Sequence, residues 1–543
     1  MQVSPENVIL SQRMWQKLWL KLQTTIFGGA IIVSSSWIVS KILGFGREWL
    51  IARHFGTVGA DPIYAAFTIP DFIYGTLILG SLLTAFIPVF IAYKKNNEDE
   101  AWQIARSILN IIVLVFTVLG VLLLVAAEPI IHLLVGDKFG EAAVRESVTL
   151  MRIMSMNMLL FAVSNVFAGV LQASKQFLAV SIAPIMNNLG AILGLMILTP
   201  HIGAAGVAWG AVLGAFLHCT IQAIAAYRIG WRFGKTAGWN HPGVRQIGRL
   251  LLPRTIGQSV TQIDQLVNVP IATRIGPASL TIFRRANILQ DFPSSIVGVS
   301  LATVAFPTFV ELLAAGKKEE FIKQFSQIVR QILFIIIPIT VLFIQLRAQY
   351  VRIAFGTGSV SWTDTIATAE TLGFFAISFF AQSLIPVLAR SFYAMQDTRT
   401  PVRITMIAVV LDILGSIFLG MHMGIRGLAL SFTISSMINA GWLFVALHRR
   451  VGHLDEDTIF LSTMKIIGMS IIMAVAVQAV KPVTVAFGFT LERSIGVFVQ
   501  GFAGSIVGII VFVTLASLFK FEEVSLITRG LNHFFRVSKN DNG

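Results

Sequence analysis

The chain is dominated by long apolar stretches, separated by short polar breaks, that recur from about residue 25 to about residue 520. A helix needs roughly 20 mostly apolar residues to cross the hydrocarbon core of a bilayer, and we count about fourteen such stretches. Charged residues make up 13% of the chain, against roughly 25% in soluble domains, which leaves no room for a large soluble domain. The sequence therefore predicts an all-α integral membrane protein of about 14 transmembrane helices.

The formal net charge of +14 could indicate a nucleic-acid partner, but the placement of the basic residues argues against one. With a cytoplasmic N-terminus, roughly 22 Lys and Arg residues fall in loops on the inside and about 9 on the outside, the bias expected of a membrane protein. We therefore expect both termini to be cytoplasmic, in a protein that crosses the membrane many times. The basic clusters that produce this bias are Lys94-Lys95, Arg228 to Arg249, Lys317-Lys318, Arg449-Arg450 and the tail from Lys520 to Lys539.

The sequence also carries an internal repeat. Ile51-Ala52-Arg53 followed by Gly56 resembles Ile271-Ala272-Thr273-Arg274 followed by Gly276, 220 residues later. The segment that begins His201-Ile202-Gly203 and reaches Ala208 resembles the segment from His422 to Ala429, at an offset of 221 residues. A repeat of this length holds about six spans, so the two copies have the same orientation and are related by an axis along the membrane normal.

The repeat divides the chain into segments. Residues 1–24 are expected to form a basic interfacial helix on the cytoplasmic side, because charged and apolar residues fall on different faces. Between the two lobes, near the membrane midplane, we expect the substrate site. The predicted segments after the interfacial helix are 25–230, a first lobe of six helices; 231–452, a second lobe of six; 453–520, two further helices; and 521–543, a cytoplasmic tail.

Charged residues inside the spans are the first candidates for function, because a charge at the bilayer centre costs about 2.5–3.5 kcal/mol on insertion scales. Lys41 and Arg47 in the first span suit an anionic phosphate or pyrophosphate headgroup. The alternative is that Arg47 pairs locally with Glu48 or extends to the interface. Arg53 and Asp61 flank the first outer loop, where they form either a gate or a salt bridge at the rim.

The second half offers further candidates. Arg284 and Arg285 near the start of the eighth span would supply anion-binding charge if they face inward, or extend to the interface if they do not. Asp264 in the seventh span and Asp412 in the eleventh are the clearest intramembrane carboxylates. They could bind Na⁺ or carry H⁺, and the alternative is that they make hydrogen bonds in helix packing.

The sequence shows no catalytic constellation. It has neither a Gly-rich ATPase phosphate loop nor a His-Glu-x-x-His helix, and its single cysteine, Cys219, allows no disulfide within one chain. We therefore expect a transporter rather than an enzyme, without a cofactor or a structural metal.

Five segments of the chain have the form of motifs that recur together in one protein family. They are Ser40-Lys41-Ile42-Leu43-Gly44-Phe45-Gly46-Arg47-Glu48, Ala52-Arg53-His54-Phe55-Gly56, Ala85-Phe86-Ile87-Pro88, Asp291-Phe292-Pro293-Ser294-Ser295 and Phe392-Tyr393-Ala394-Met395-Gln396-Asp397-Thr398-Arg399-Thr400-Pro401. These segments resemble the MurJ (MviN) family, the lipid II flippases of bacterial cell-wall synthesis. The resemblance begins near residue 30 and continues to the last spans.

This resemblance implies a fourteen-helix fold of the multidrug/oligosaccharidyl-lipid/polysaccharide exporter superfamily, with two six-helix lobes around a cationic cavity and two further helices that form a groove for the lipid tail. It implies alternating access driven by ion gradients or membrane potential. Arg47 matches a cavity arginine of the family and Asp61 its outer-loop acid. The family pattern has further cavity arginines where Tyr74 and Ile288 stand here, and often has arginine at the position of Lys41.

Taken together, the sequence predicts a flippase for an undecaprenyl-pyrophosphate-linked peptidoglycan precursor, lipid II. Lys41 and Arg47 would bind the pyrophosphate, Arg284 or Arg285 would assist, and Asp61 would act at the outer gate. Two alternatives stay open: an exporter of another polyprenyl-linked glycan or small molecule on the same fold, and a non-transporting membrane scaffold for the cell-wall synthesis machinery.

Overall fold

The computed structural model describes residues 26–78, 81–356, 359–490, 494–521 and 523. The predicted interfacial helix at residues 1–24 and all of the predicted tail except residues 521 and 523 lie outside the described residues. The side chains of residues 26–34, 81, 252–254, 256–258, 260, 261, 264 and 494 also lie outside the description, and the predicted cation ligand Asp264 is one of them. Every regular element in the described part is a helix, which confirms the predicted all-α class.

The described residues form two compact units that divide between Pro277 and Ala278. The helices of the first unit are α1 Ile26–Phe55, α2 Asp61–Leu77, α3 Ser81–Asn96, α4 Glu98–Leu134, α5 Glu141–Ala173, α6 Phe177–Ile197, α7 Thr199–Ile202, α8 Ala205–Arg228 and α9 Pro242–Ile275. The helices of the second unit are α10 Ser279–Ser294, α11 Ser300–Ala314, α12 Lys318–Gln345, α13 Arg347–Phe355, α14 Trp362–Ile377, α15 Phe379–Ala394, α16 Arg399–Met423, α17 Ile425–Val451, α18 Glu456–Ala486 and α19 Ser494–Leu518. A π-helical turn, Ser295–Val299, joins α10 to α11.

Eleven helical segments in the described part are long and apolar enough to cross a membrane. A twelfth results if α14 and α15, bent by 42° at their junction, form one broken span. Helices α1 and α9, with 30 and 34 residues, also have the length of a span. The count of about fourteen, which includes these two helices, stays a prediction.

Helix α9 belongs to the first compact unit, although the sequence places it in the second predicted lobe, which starts at residue 231. It packs against α2, α3 and α4. Near its end, the Thr273 hydroxyl oxygen accepts a 2.9 Å hydrogen bond from the backbone N–H of Gly136. The predicted lobe boundaries and the predicted symmetry axis stay predictions.

Local structure repeats at the offset that the sequence indicates. Gly203, with φ 59° and ψ −140°, precedes α8, and Gly424, with φ 64° and ψ −143°, precedes α17, 221 residues later. At the same offset, Lys175 and Gln396 end α5 and α15 in the left-handed region, with φ values of 58° and 60°. A non-glycine residue with positive φ is uncommon, so a matched pair indicates that the two segments share one backbone design.

Aromatic side chains fill the core of the first unit near the α3–α4 turn. The ring centroids of Phe90 and Trp102 lie 5.5 Å apart, those of Trp102 and Trp231 6.2 Å apart, and those of Phe167 and Trp231 5.2 Å apart. Trp231 is only 2% exposed, although it follows the C-terminus of α8. This cluster therefore holds the loop between α8 and α9 against α4 and α5.

Glycines allow α6 and α8 to approach closely. A Cβ atom placed on Gly194 would lie 2.1 Å from the Cα of Gly210, and one on Gly190 would lie 2.4 Å from the Cα of Gly214. Small residues of this kind let membrane helices pack backbone to backbone. The pair α6–α8 supports α1, because α6 also packs along α1.

Candidate functional site

Helix α1 is fixed to α6 beside the first candidate cation. The side-chain amide of Asn188 on α6 donates hydrogen bonds of 3.0 Å to the backbone carbonyl and the hydroxyl of Ser40. Gly44, one turn further along α1, lies against the same amide. The next residue after Ser40, Lys41, is exposed, and its Nζ atom lies 5.3 Å from the centroid of the Trp37 ring, a cation–π contact within one helical turn.

Arg47 is held by two neighbouring side chains. Its Nη2 donates a hydrogen bond of 2.8 Å to Oε1 of Glu48, and the second oxygen of Glu48 accepts a 2.7 Å hydrogen bond from the hydroxyl of Tyr64 on α2. The local pairing with Glu48 that the sequence offers as an alternative is therefore present. The Arg47 side chain is nevertheless 34% exposed, whereas that of Glu48 is 9% exposed.

This arrangement presents a guanidinium whose position is fixed from one side. A guanidinium has five N–H donors in a planar fork, and Glu48 accepts one hydrogen bond from them here. Asp71 on α2 is exposed and interacts electrostatically with Arg47. The exposed part of Arg47, together with exposed Lys41 on the same helix, can bind an anionic group such as a phosphate.

The two predicted gate residues differ in their surroundings. Arg53 is exposed, and its guanidinium carbon lies 5.5 Å from the centroid of the Trp49 ring. Asp61 is 3% exposed and is the first residue of α2, where the N-terminal end of the helix favours a negative charge. The gate role of both residues stays a prediction.

The two predicted cations of the second unit are also unlike each other. Arg285 on α10 is 1% exposed and is the largest fully buried side chain among the described residues. Its guanidinium carbon lies 5.5 Å from the ring centroid of Phe355. Arg284 is only half-buried. In this conformation a ligand could reach Arg284, whereas Arg285 lies in the interior of the unit.

Asp412 is 2% exposed and lies on α16. Its backbone carbonyl accepts a 2.8 Å hydrogen bond from the hydroxyl of Ser431 on α17, and Ser416, one turn further along α16, is equally buried. The described residues hold no group of three or more His, Cys, Asp or Glu side chains that could bind a metal ion. The cation-binding role of Asp412 stays a prediction, and Asp264 lies outside the described side chains.

Uncharged side chains stand at the two positions where the family pattern has cavity arginines. The Tyr74 hydroxyl accepts a 2.9 Å hydrogen bond from the side-chain amide of Asn165, and its ring packs 5.1 Å from that of Phe161. Ile288 is half-buried on α10. Neither position supplies a cation.

Sequence reasoning missed Tyr64 and Asn188. Tyr64 lies in a stretch of apolar residues and gives no sign that its hydroxyl reaches a carboxylate on another helix. Asn188 was open to detection, because Asn187-Asn188 is an amide pair within an otherwise apolar span and an amide in a membrane needs a hydrogen-bond partner.

Comparison with known proteins places this chain in a family. The family model described as Lipid II flippase MurJ matches residues 51–498. A relative from Burkholderia cenocepacia, Lipid II flippase MurJ, is 24% identical over 434 residues, which cover 78% of this chain and 84% of the relative. A relative from Bdellovibrio bacteriovorus, a probable lipid II flippase MurJ, is 25% identical over 513 residues, 93% of this chain and 97% of the relative.

Solved structures show the same fold. The structure described as lipid II flippase MurJ in an inward closed conformation matches with a TM-score of 0.76 and 21% identity, over 90% of this chain and 98% of that one. An inward-facing multidrug resistance transporter of the MATE family, in the MOP superfamily, matches with a TM-score of 0.66 and 14% identity, over 77% of this chain and 96% of that one. With a family model that covers most of its length and relatives that align nearly end to end, this multi-pass helical membrane protein belongs to the lipid II flippase MurJ family.

Proposed function

We propose that this chain is a flippase that moves lipid II, an undecaprenyl-pyrophosphate-linked peptidoglycan precursor, across the bacterial inner membrane by alternating access. Membership of the MurJ family supports this function, and one structural observation carries it: the Arg47 guanidinium lies on a membrane helix, oriented by Glu48, and keeps an exposed side. No other common side chain holds a diphosphate in so fixed a geometry.

In this proposal the pyrophosphate binds to Arg47 and Lys41. Arg47 supplies directed N–H donors, and Lys41 supplies a mobile point charge above Trp37. Arg284 is the accessible cation of the second unit that could assist. Arg285, enclosed against Phe355, has a structural role in that unit.

The energy source and the topology are further parts of the proposal. We infer that both termini are cytoplasmic, as the distribution of basic loop residues indicates. Coupling to Na⁺ or H⁺ would involve the intramembrane carboxylates Asp412 and Asp264, and the burial of Asp412 supports that role.

Complementation tests the proposal. Bacteria depleted of their own lipid II flippase would express the wild type, Arg47→Ala or Arg228→Ala at matched membrane levels. Arg228 is an exposed arginine at the end of α8, so its loss controls for the removal of one charge. We expect growth with the wild type and with Arg228→Ala and lysis with Arg47→Ala.

Transport of labelled lipid II in proteoliposomes separates cargo from site. Transport by both the wild type and Arg47→Ala would keep the cargo and remove Arg47 from its recognition. Correct insertion without any transport of lipid II would favour another polyprenyl-linked glycan as the cargo.

A further inference from the structure

The second unit contains a polar cavity far along the chain from the candidate cations of α1. The cavity has a volume of about 550 Å³, within the range of about 300–1,000 Å³ that small-molecule sites occupy. The residues around it come from the C-terminus of α12, from α13, from the first turns of α14, from the C-terminal part of α18 and from α19. On the proposed topology this end of the unit is periplasmic, because α12 begins at the basic Lys317-Lys318 loop on the cytoplasmic side.

Two cations line this cavity. Lys481 and Arg347 are close enough for their charges to interact, and both are partly accessible. Glu370 lines the same cavity, but its carboxylate already forms a salt bridge of 2.5 Å with Arg426. With Arg426 included, the described residues place three positive charges against one negative charge here, so they give the cavity an excess of positive charge.

Lys481 and Arg347 also make hydrogen bonds within the protein, but these bonds use only some of their donors. Lys481 Nζ donates a 2.8 Å hydrogen bond to the carbonyl of Gln345, and Arg347 Nη1 donates one of 2.8 Å to the carbonyl of Ile344. Both bonds cap the C-terminus of α12, where a cation is favoured. Each uses one donor, whereas an ammonium group has three and a guanidinium group five.

Uncharged groups complete the site. Gln349 and Gln500 are 4% and 2% exposed, and their amides are joined by a 3.3 Å hydrogen bond at the wall of the cavity. Pro482 and Val485 give the rim on α18 an exposed apolar edge. Charge and amide donors beside an apolar rim are what an amphipathic anion requires.

We propose that this cavity binds an anionic phosphate group, held by Arg347 and Lys481 at a site separate from the candidate cations of α1. The group is carried by a phosphoglycerolipid of the outer leaflet, whose acyl chains follow the apolar rim, or it is free phosphate in solution. Both sources have the same recognition chemistry, and the experiment distinguishes them.

Native mass spectrometry of the detergent-purified full chain measures the binding directly, with phosphatidylglycerol, phosphatidylcholine and inorganic phosphate as probes. The test variant is Arg347→Gln with Lys481→Gln. The control is Lys318→Gln with Lys323→Gln. These two exposed lysines lie near the start of α12, at the end opposite the cavity, and their loss lowers the net charge of the protein by the same amount. We expect the double variant to weaken phosphatidylglycerol binding by at least about fivefold, and the control to leave it unchanged.

A third variant guards against a folding defect. Glu370→Gln removes the negative charge that lines the cavity, so we expect it to strengthen binding of phosphatidylglycerol, a change that a misfolded protein would not show. Retention of the lipid in millimolar phosphate would identify the headgroup as the source. Displacement by phosphate, with the same dependence on Arg347 and Lys481, would identify the free anion.

The proposal fails if the double variant binds phosphatidylglycerol and phosphate as tightly as the control variant does. It also fails if phosphatidylcholine, which has no net charge, binds as tightly as phosphatidylglycerol.

Discussion

The hydroxyl of Tyr64 donates a 2.7 Å hydrogen bond to Oε2 of Glu48, and this bond joins α2 to the segment of α1 that carries Arg47. The other oxygen of Glu48 accepts the hydrogen bond from Arg47. The position of the guanidinium is therefore set by a residue on a neighbouring helix, through a carboxylate that is itself almost fully buried.

Replacement of Tyr64 tests this arrangement. Tyr64→Phe removes one buried hydrogen bond to a carboxylate, which we expect to lower the free energy of unfolding by about 1 kcal/mol and to slow lipid II transport, because Arg47 loses its orientation. Thermal unfolding of the purified protein and transport in proteoliposomes measure the two effects. Tyr227→Phe, at an exposed tyrosine of α8, is the control, and equal behaviour of the two variants would contradict the prediction.

Lys41 tests whether charge or geometry matters at the second cation. Lys41→Arg keeps the positive charge above Trp37 and adds a planar fork of donors, so we expect transport at or above the wild-type rate. Lys41→Ala removes the charge and should slow transport several-fold. Transport in proteoliposomes at matched protein density distinguishes these outcomes, and an unimpaired Lys41→Ala would exclude Lys41 from headgroup binding.

The close packing of α6 on α8 makes a prediction about stability. Gly194→Ala places a Cβ atom 2.1 Å from the Cα of Gly210, a backbone clash that only separation of the helices relieves. We expect a loss of roughly 1–3 kcal/mol, typical of overpacking. Gly248→Ala is the control on α9, where an added Cβ atom meets no atom within 4 Å and helix propensity favours alanine. A melting temperature for Gly194→Ala at or above that of the control would show that the helices are not in this contact.

Asp397, in the loop between α15 and α16, should make the stability of the protein depend on pH. The pKa of Asp397 lies below its ordinary value of 3.8, chiefly because its carboxylate accepts hydrogen bonds from the hydroxyl and the backbone N–H of Thr400. The charge of Arg450 and the N–H of Arg399 also lower this pKa, whereas burial opposes the shift. Because the folded-state pKa is depressed, ionised Asp397 contributes stability above its unfolded-state pKa, and this stability is lost as the pH falls through the folded-state pKa.

Thr400→Val removes the first of these donors. We expect the pKa of Asp397 to move towards 3.8 and the stability that it contributes above pH 4 to decrease, so that the variant and the wild type converge in acid. Unfolding temperatures measured between about pH 6 and about pH 3 test this, with Thr363→Val, at an exposed threonine of α14, as the control. A difference from the wild type that stays constant across this range would contradict the prediction.

The all-α membrane class could be predicted from the sequence because the length of each apolar stretch, which decides whether it can cross a bilayer, does not depend on the rest of the chain. The repeat could also be predicted from the sequence, since the segments that begin at His201 and His422 match, and each contains a glycine, Gly203 or Gly424, with the same backbone conformation. The packing of α9 against the first unit was harder to predict, because it depends on contacts such as that of Thr273 with Gly136, which no local pattern reveals.

The site was predicted unevenly for a similar reason. A charged residue inside an apolar stretch is visible in the sequence, and this is how Arg47 and Asp412 were selected as candidate functional residues. Whether such a charge faces a ligand or the protein interior depends on the helices around it. Arg284 and Arg285 are neighbours in sequence, yet one is accessible and the other is enclosed beside Phe355.

The pairing of Arg47 with Glu48 has an electrical consequence for transport. The pair has no net charge, so a bound diphosphate leaves an excess of negative charge that Lys41 offsets only in part. If the proposed diphosphate cargo crosses in this state, its movement would carry current, and an inside-negative potential would do work on its outward movement, about 2.3 kcal/mol per elementary charge for each 100 mV. On the proposed function, the membrane voltage would then supply part of the free energy of the cycle.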